Sequence, residues 1–140
     1  GAFLDRVDAY DDWRSDHPQA VDDMADFVIR LSDTARKMQP GFLLISQNAE
    51  IALSKAHYRA TIDAVSKESL LTGLQGEGTA NRPDQIAWSL NHLLQAQLTG
   101  LTILTIEYLR AHGDVAAVQE RHRTMGFVPF LANRLLDRLP

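Results

Sequence analysis

Apolar and polar residues follow two different rhythms along this chain. Five short runs are rich in apolar or β-branched residues and are bounded by glycine or polar residues, which is typical of strands in a buried parallel sheet. These predicted strands cover residues 2–7, 42–46, 61–66, 101–109 and 127–132. Between them, apolar residues recur every three or four positions, which predicts helices. The predicted helices cover residues 19–38, 50–58, 83–98 and 114–125, and a last short helix holds Leu135 and Leu136.

Strands and helices therefore alternate from the start of the chain to its end. Such alternation predicts an α/β fold with a parallel sheet and helices packed outside it. Right-handed crossovers allow either an open doubly wound sheet or a barrel. The glycine-rich segment "TGLQGEGTANRPD" predicts a loop, and residues 1–140 are predicted to form one domain.

Composition narrows the classes of protein to which this chain can belong. Its 140 residues are 45% hydrophobic and 23% charged, which fits a soluble globular domain with a real core. The net charge of −4 and the dispersed basic residues argue against a nucleic-acid surface. The absence of cysteine excludes disulfides and thiolate metal sites, and the histidines lack ligand spacing, so no metal and no cofactor are predicted. The longest apolar run is interrupted by polar residues, so no membrane span is predicted.

Polar side chains stand near the predicted carboxyl end of every strand, where parallel α/β folds gather their functional residues. They are Asp5, Asp8 and Tyr10 at the first strand, Gln47 and Asn48 at the second, Ser66 to Glu68 at the third, Glu107 and Tyr108 at the fourth, and Asn133 and Arg134 after the fifth. Two carboxylates at such an edge can serve as the acid/base and the nucleophile of glycoside hydrolysis. The alternative is that a strand-end acid caps a helix or pairs with a base such as Arg6 or Arg59. Spacing alone leaves both interpretations open.

Five segments in a fixed order add a resemblance to a known family. The segments are "FLDRVDAYDDW", "PGFLLISQNAE", "IDAVSKESLL", "LTILTIEYL" and "GFVPFLANRLLD". Together they resemble the endo-α-1,4-polygalactosaminidase family of glycoside hydrolases, family 114. The resemblance implies a (β/α)8 barrel of the TIM type, of which this chain forms a partial barrel containing strands 4 to 8 and their helices.

The resemblance also implies roles for particular residues. Asp5 and Glu68 match the catalytic carboxylates. The residues that match the family's substrate-binding positions are Asp8, Tyr10, Gln47, Asn48, Glu107 and Tyr108. Two departures from the family pattern are Lys67, where the family often has arginine, and Ser46, where it often has proline. Neither departure removes a catalytic carboxylate.

The implied activity is hydrolysis of α-1,4-linked galactosamine-containing polysaccharide, such as galactosaminogalactan, by a secreted or periplasmic enzyme. The implied partner is that polysaccharide. Two alternatives remain open from the sequence. The first alternative is a non-catalytic polysaccharide-binding module. The second is a partial barrel that self-associates through exposed sheet edges.

Overall fold

The chain folds around a five-stranded parallel sheet. The structure is a computed structural model and describes residues 1–109 and 115–135. The strands of this sheet are β1 (Ala2–Leu4), β2 (Leu44–Gln47), β3 (Ala64–Glu68), β6 (Thr102–Tyr108) and β7 (Val128–Ala132). They lie side by side in the order β1-β2-β3-β6-β7, and every neighbouring pair is parallel. The predicted α/β class with a parallel sheet is confirmed.

Helices follow most of the strands and pack on one face of the sheet. They are α1 (Ala20–Met38), α2 (Ala56–Arg59), α3 (Pro83–Leu98) and α4 (Val115–Thr124), with 3₁₀ helices at Val7–Asp12 and Ala52–Ser54. In α1, acids occupy the first turn and bases the last turn, which complements the helix dipole. Proline opens α3, and the Gln85 side chain accepts a hydrogen bond from the Arg82 backbone N–H at 3.2 Å there.

The two faces of the sheet have different surroundings. Val65 and Ile103 are paired in register and belong to the apolar core between the sheet and the helices. Side chains on the opposite side alternate with these, and we call that side the open face. Its apolar members, matched through the strand register, are Phe3, Ile45, Leu104, Ile106, Val128 and Phe130. Three of these (Phe3, Val128 and Phe130) are exposed, so the core lies on one side of the sheet only.

Three predicted elements have different limits in the structure. The strand predicted over residues 2–7 ends at Leu4, because Asp5 accepts a hydrogen bond from Arg6 N and Arg6 turns the chain with φ +57°. The strand predicted over residues 61–66 begins and ends later, at Ala64–Glu68, so Glu68 is part of β3. The helix predicted over residues 50–58 is two short helices.

The predicted glycine-rich loop was the largest error in the secondary structure. It contains an antiparallel hairpin, made of β4 (Thr72–Gly73) and β5 (Gly76–Ala80). Of the predicted last helix, Leu135 lies in a turn and Leu136 lies outside the described residues. The predicted start of the fourth helix, at residue 114, also lies outside them.

Candidate functional site

The carboxyl ends of the parallel strands meet at one edge of the sheet. Asp5 directly follows β1, while Gln47, Glu68 and Tyr108 are the last residues of β2, β3 and β6. We call the edge formed by these four residues the carboxyl rim. Parallel strand direction alone places them together, as expected for a functional edge in this class of fold.

Glu68 is held on both oxygens by neighbouring strands. Gln47 Nε2 donates to Glu68 Oε2 at 2.7 Å, and the Tyr108 hydroxyl donates to Glu68 Oε1. The carboxylate is partly buried between these two donors. Its orientation is therefore fixed in the absence of any ligand.

Asn48 links the first loop to the third strand. It has a left-handed backbone with φ +56°, a conformation that asparagine tolerates better than most residues. Its Oδ1 accepts a hydrogen bond from Glu68 N at 3.1 Å, and its Nδ2 lies 3.5 Å from Asp8 Oδ2. The turn after β2 thus positions both the Glu68 backbone and the loop that carries Asp8.

Asp5 is the exposed carboxylate of the carboxyl rim. Its Oδ1 accepts the Arg6 backbone N–H at 2.8 Å. After burial and Glu68, the charge of Asp5 makes a smaller contribution to the raised pKa of the Tyr108 phenol.

The Tyr108 phenol lies at the carboxyl rim, where its hydroxyl binds Glu68. Burial raises the pKa of Tyr108 most, and the hydrogen bond and charge of Glu68 and then the charge of Asp5 raise it further. Arg134 opposes this shift, with its guanidinium carbon 5.1 Å from the centre of the Tyr108 ring. The phenol consequently stays protonated at neutral pH and acts as a hydrogen-bond donor to Glu68.

Arg134 lies beside this group, although no role was predicted for it from the sequence. Its place after the last strand can be read from the sequence, but the contact of its side chain with the Tyr108 ring cannot. A basic residue two positions beyond a strand end was the available signal. A cation over an aromatic face is favourable and restricts both side chains.

Two predicted substrate contacts lie inside the protein. Glu107 has none of its surface exposed and Tyr10 has 3% exposed. The Glu107 carboxylate accepts hydrogen bonds from Leu71 N and from Thr72 N and Oγ1. The Tyr10 ring belongs to the apolar core, and burial raises its pKa. The structure therefore brings Asp5, Gln47, Asn48, Glu68 and Tyr108 together and gives Glu107 and Tyr10 enclosed positions.

The arrangement suits acid/base chemistry by two carboxylates. One carboxylate is exposed and the other is oriented by a protonated phenol and an amide. Within residues 1–109 and 115–135, no group of three or more histidine, aspartate or glutamate side chains is placed to hold a metal ion. In the same part of the chain, no helix is long and apolar enough to cross a membrane.

Comparison with known proteins finds a similar fold with a described activity. No protein-family model matches the chain. An uncharacterized protein of Deinococcus radiodurans is 32% identical over 143 residues, which cover 99% of this chain and 44% of that protein. The glycoside hydrolase domain of PelA from Pseudomonas aeruginosa superimposes with a TM-score of 0.78 and 24% identity, over 99% of this chain and 55% of that one. A glutamate-to-alanine variant of the same domain gives the same values.

These matches establish the fold. The chain superimposes on part of the PelA glycoside hydrolase domain, and its parallel sheet with alternating helices is the α/β fold that the sequence predicted. The chain spans about half the length of the proteins that it matches. Membership of the polygalactosaminidase family stays a prediction.

Proposed function

We propose that the chain is the latter part of a (β/α)8 glycoside hydrolase that cleaves α-1,4-linked galactosamine-containing polysaccharide. Asp5 and Glu68 are its carboxylate pair. The observation that carries this proposal is that Asp5 and Glu68 stand at the carboxyl ends of parallel strands of one sheet, where Gln47 and Tyr108 hold the Glu68 carboxylate. Glycoside hydrolysis uses two such groups on either side of the scissile bond. The similarity to the PelA glycoside hydrolase domain supports the reaction class.

The charge of the rim supports an amino sugar as substrate. Asp5, Asp8 and Glu68 place three acids at or beside the rim, and the chain as a whole carries −4. Galactosamine that has lost its acetyl group is cationic. An acidic cleft attracts such a polymer and raises its local concentration.

The exposed apolar side chains of the open face support the proposal that this chain is part of a larger barrel. A (β/α)8 barrel has eight parallel strands in about 250 residues, and the parallel sheet here has five. The open face is apolar and partly exposed, which fits a barrel interior whose remaining wall lies outside these residues. In the proposal that wall completes the cleft, and the enzyme works in the periplasm or outside the cell, where its polymeric substrate is found.

Hydrolysis is tested by the release of reducing ends from partly deacetylated α-1,4-galactosamine polysaccharide. The assay uses both the 140-residue chain and any longer protein that carries it. Asp5→Asn is expected to lower the rate by about 10²-fold or more, because the amide cannot exchange a proton or attack carbon. The control is Asp33→Asn, which alters an exposed acid on α1 and leaves the rate unchanged.

Two results would contradict the proposal. An Asp5→Asn protein with the wild-type rate removes Asp5 from the reaction. Tight binding of galactosamine oligomers by the wild type, with no new reducing ends, favours the alternative of a non-catalytic binding module.

A self-associating partial barrel is the second candidate, and the open face favours it. Val128 and Phe130 on the edge strand β7 are 55% and 37% exposed, and Phe3 on the other edge strand is also exposed. Edge strands that carry exposed apolar side chains invite pairing with another chain.

Under this second candidate the 140-residue chain sediments as a dimer or larger species. Phe130→Asp shifts it to the monomer, because a carboxylate on the open face is costly to bury. The control is Trp88→Asp, which changes an exposed aromatic residue on α3 and leaves the assembly intact. A wild-type chain that sediments as a monomer at high concentration eliminates this candidate.

A further inference from the structure

The chain turns sharply after Glu68 and rises into the hairpin. Ser69 has a left-handed backbone with φ +52°, and its N–H donates to Ile106 O at 2.8 Å. Leu70 and Leu71 are then buried, and the hairpin strand β4 begins one residue later. The position of the hairpin base is therefore linked through three residues to the Glu68 carboxylate.

Glu107 holds the hairpin base from inside the protein. Its Oε1 accepts the Leu71 N–H at 2.6 Å, and its Oε2 accepts the Thr72 N–H at 3.1 Å and the Thr72 hydroxyl at 2.8 Å. His122 Nε2 on α4 lies 3.2 Å from Oε1, and neither side chain of this pair is exposed. The same carboxylate thus joins β6, α4 and the hairpin.

Asn81 holds the other side of the hairpin base. Its Nδ2 donates to Ser69 O at 2.7 Å and to Leu70 O at 3.0 Å, and its backbone N–H donates to Leu71 O. Every residue of β5 is nevertheless exposed. The base of the hairpin is held by these hydrogen bonds, while its outer strand is exposed.

We propose that Glu107 is a positioning residue, which fixes the hairpin base and through it the orientation of Glu68 toward Tyr108. It does so from the helix-facing side of β6, whereas its neighbour Tyr108 lies on the opposite side of the strand. Glu107 touches no substrate in this arrangement. The kinetic consequence rests on the proposed function, but the structural consequence does not.

The chemistry of the contacts explains why a carboxylate is required. Three hydrogen bonds reach Glu107 from N–H and O–H donors, and both oxygens are used. A glutamine would turn an NH₂ group toward one of these donors and leave it unpaired in a buried place. Glu107→Gln therefore loosens the hairpin base without changing the size of the side chain.

The test follows Tyr108 by NMR in the full 140-residue chain labelled with ¹³Cζ-tyrosine. The chain has three tyrosines, and a Tyr108→Phe spectrum assigns the signal. In the wild type the Tyr108 signal is expected to titrate above ordinary tyrosine, because burial and the bond to Glu68 raise its pKa. In Glu107→Gln the midpoint is expected to fall by about one pH unit or more toward the ordinary value, as the bond to Glu68 is lost.

The other tyrosines separate this effect from general loosening. Burial raises the pKa of Tyr10, and it raises that of Tyr58 to about 12. Both are expected to keep their wild-type titration.

If Glu107→Gln fails to fold, the variant Thr72→Val tests the proposal, because it removes only the hydrogen bond from the Thr72 hydroxyl to Glu107. The matched control is Thr79→Val on the exposed strand β5, which leaves Tyr108 unchanged.

Either of two titration results overturns the proposal: an ordinary Tyr108 titration in the wild type, or an unchanged Tyr108 titration in folded Glu107→Gln and Thr72→Val. Where the wild type hydrolyses polysaccharide, both variants are expected to lower kcat about tenfold or more and to leave KM unchanged. A rise in KM of about tenfold with kcat unchanged indicates a substrate contact and also overturns the proposal. A wild type without hydrolysis defeats the proposed function, while the Tyr108 titration still decides the role of Glu107.

Discussion

Replacing Glu68 with glutamine is expected to lower the rate of polysaccharide hydrolysis by about 10²–10⁴-fold, the range typical of a lost acid/base group. The substitution keeps the size of the side chain and one oxygen that can accept a hydrogen bond. It removes the charge that sits between Gln47 Nε2 and the Tyr108 hydroxyl. A group that can neither carry a proton nor attack carbon cannot serve in a two-carboxylate reaction.

The measurement is the initial rate of reducing-end release, with urea unfolding of the same variant to show that the fold persists. The matched control is Glu120→Gln on the exposed surface of α4, which is expected to retain the wild-type rate. A folded Glu68→Gln protein with undiminished turnover would eliminate Glu68 from the reaction. The Asp5→Asn assay would then be the remaining test of whether the carboxyl rim takes part in hydrolysis.

The second large effect is on stability, at an ion pair beneath the rim. Lys67 Nζ lies 2.8 Å from Glu50 Oε1, and the two side chains are 12% and 6% exposed. Ser89 Oγ on α3 donates to the same Glu50 oxygen at 2.9 Å. Glu50→Ala leaves the Lys67 charge unpaired in a buried place, and this costs about 3–5 kcal/mol of unfolding free energy.

Urea unfolding monitored by tryptophan fluorescence measures this loss. The double variant Glu50→Leu with Lys67→Met is expected to recover most of it, because apolar residues of similar volume replace both charges. As a control, Asp84→Ala breaks the exposed pair with Arg82 and leaves the midpoint nearly unchanged. A midpoint in Glu50→Ala equal to that of the control would show that the buried pair contributes nothing.

The sheet could be predicted from the sequence because its strands are apolar on both faces. The predicted third strand begins three residues too early, since Ile62 and Ala64 stand at alternate positions in "TIDAVS", as they would in a strand. In the structure Asp63 precedes β3 and connects the start of β2 to α1. Its Oδ2 accepts the Leu44 N–H at 2.7 Å and pairs with Arg36 at 2.8 Å. A contact with a residue 27 positions away leaves no local signal in the sequence.

The carboxyl rim could be located from strand ends, but its members could not be ranked. Glu107 and Tyr108 are adjacent on β6, and successive side chains on a strand point to opposite faces. Tyr108 therefore meets Glu68, whereas Glu107 meets His122 on a helix. Sequence shows the strand end but not which residue of a neighbouring pair points to which side. The hairpin that decides the role of Glu107 had been predicted as a loop.

The order of the strands bears on how this protein acquires its structure. Leaving aside the hairpin β4–β5, strands that are neighbours in the sheet also follow one another along the chain. No early strand has to wait for a distant one, so each new strand and helix can dock on the unit that left the ribosome just before it. Pairing with the next strand along the chain gives smaller loop closures than pairing with a more distant strand would, and smaller closures favour faster folding. A sheet of this kind can grow stepwise during translation, from its first strand toward its last.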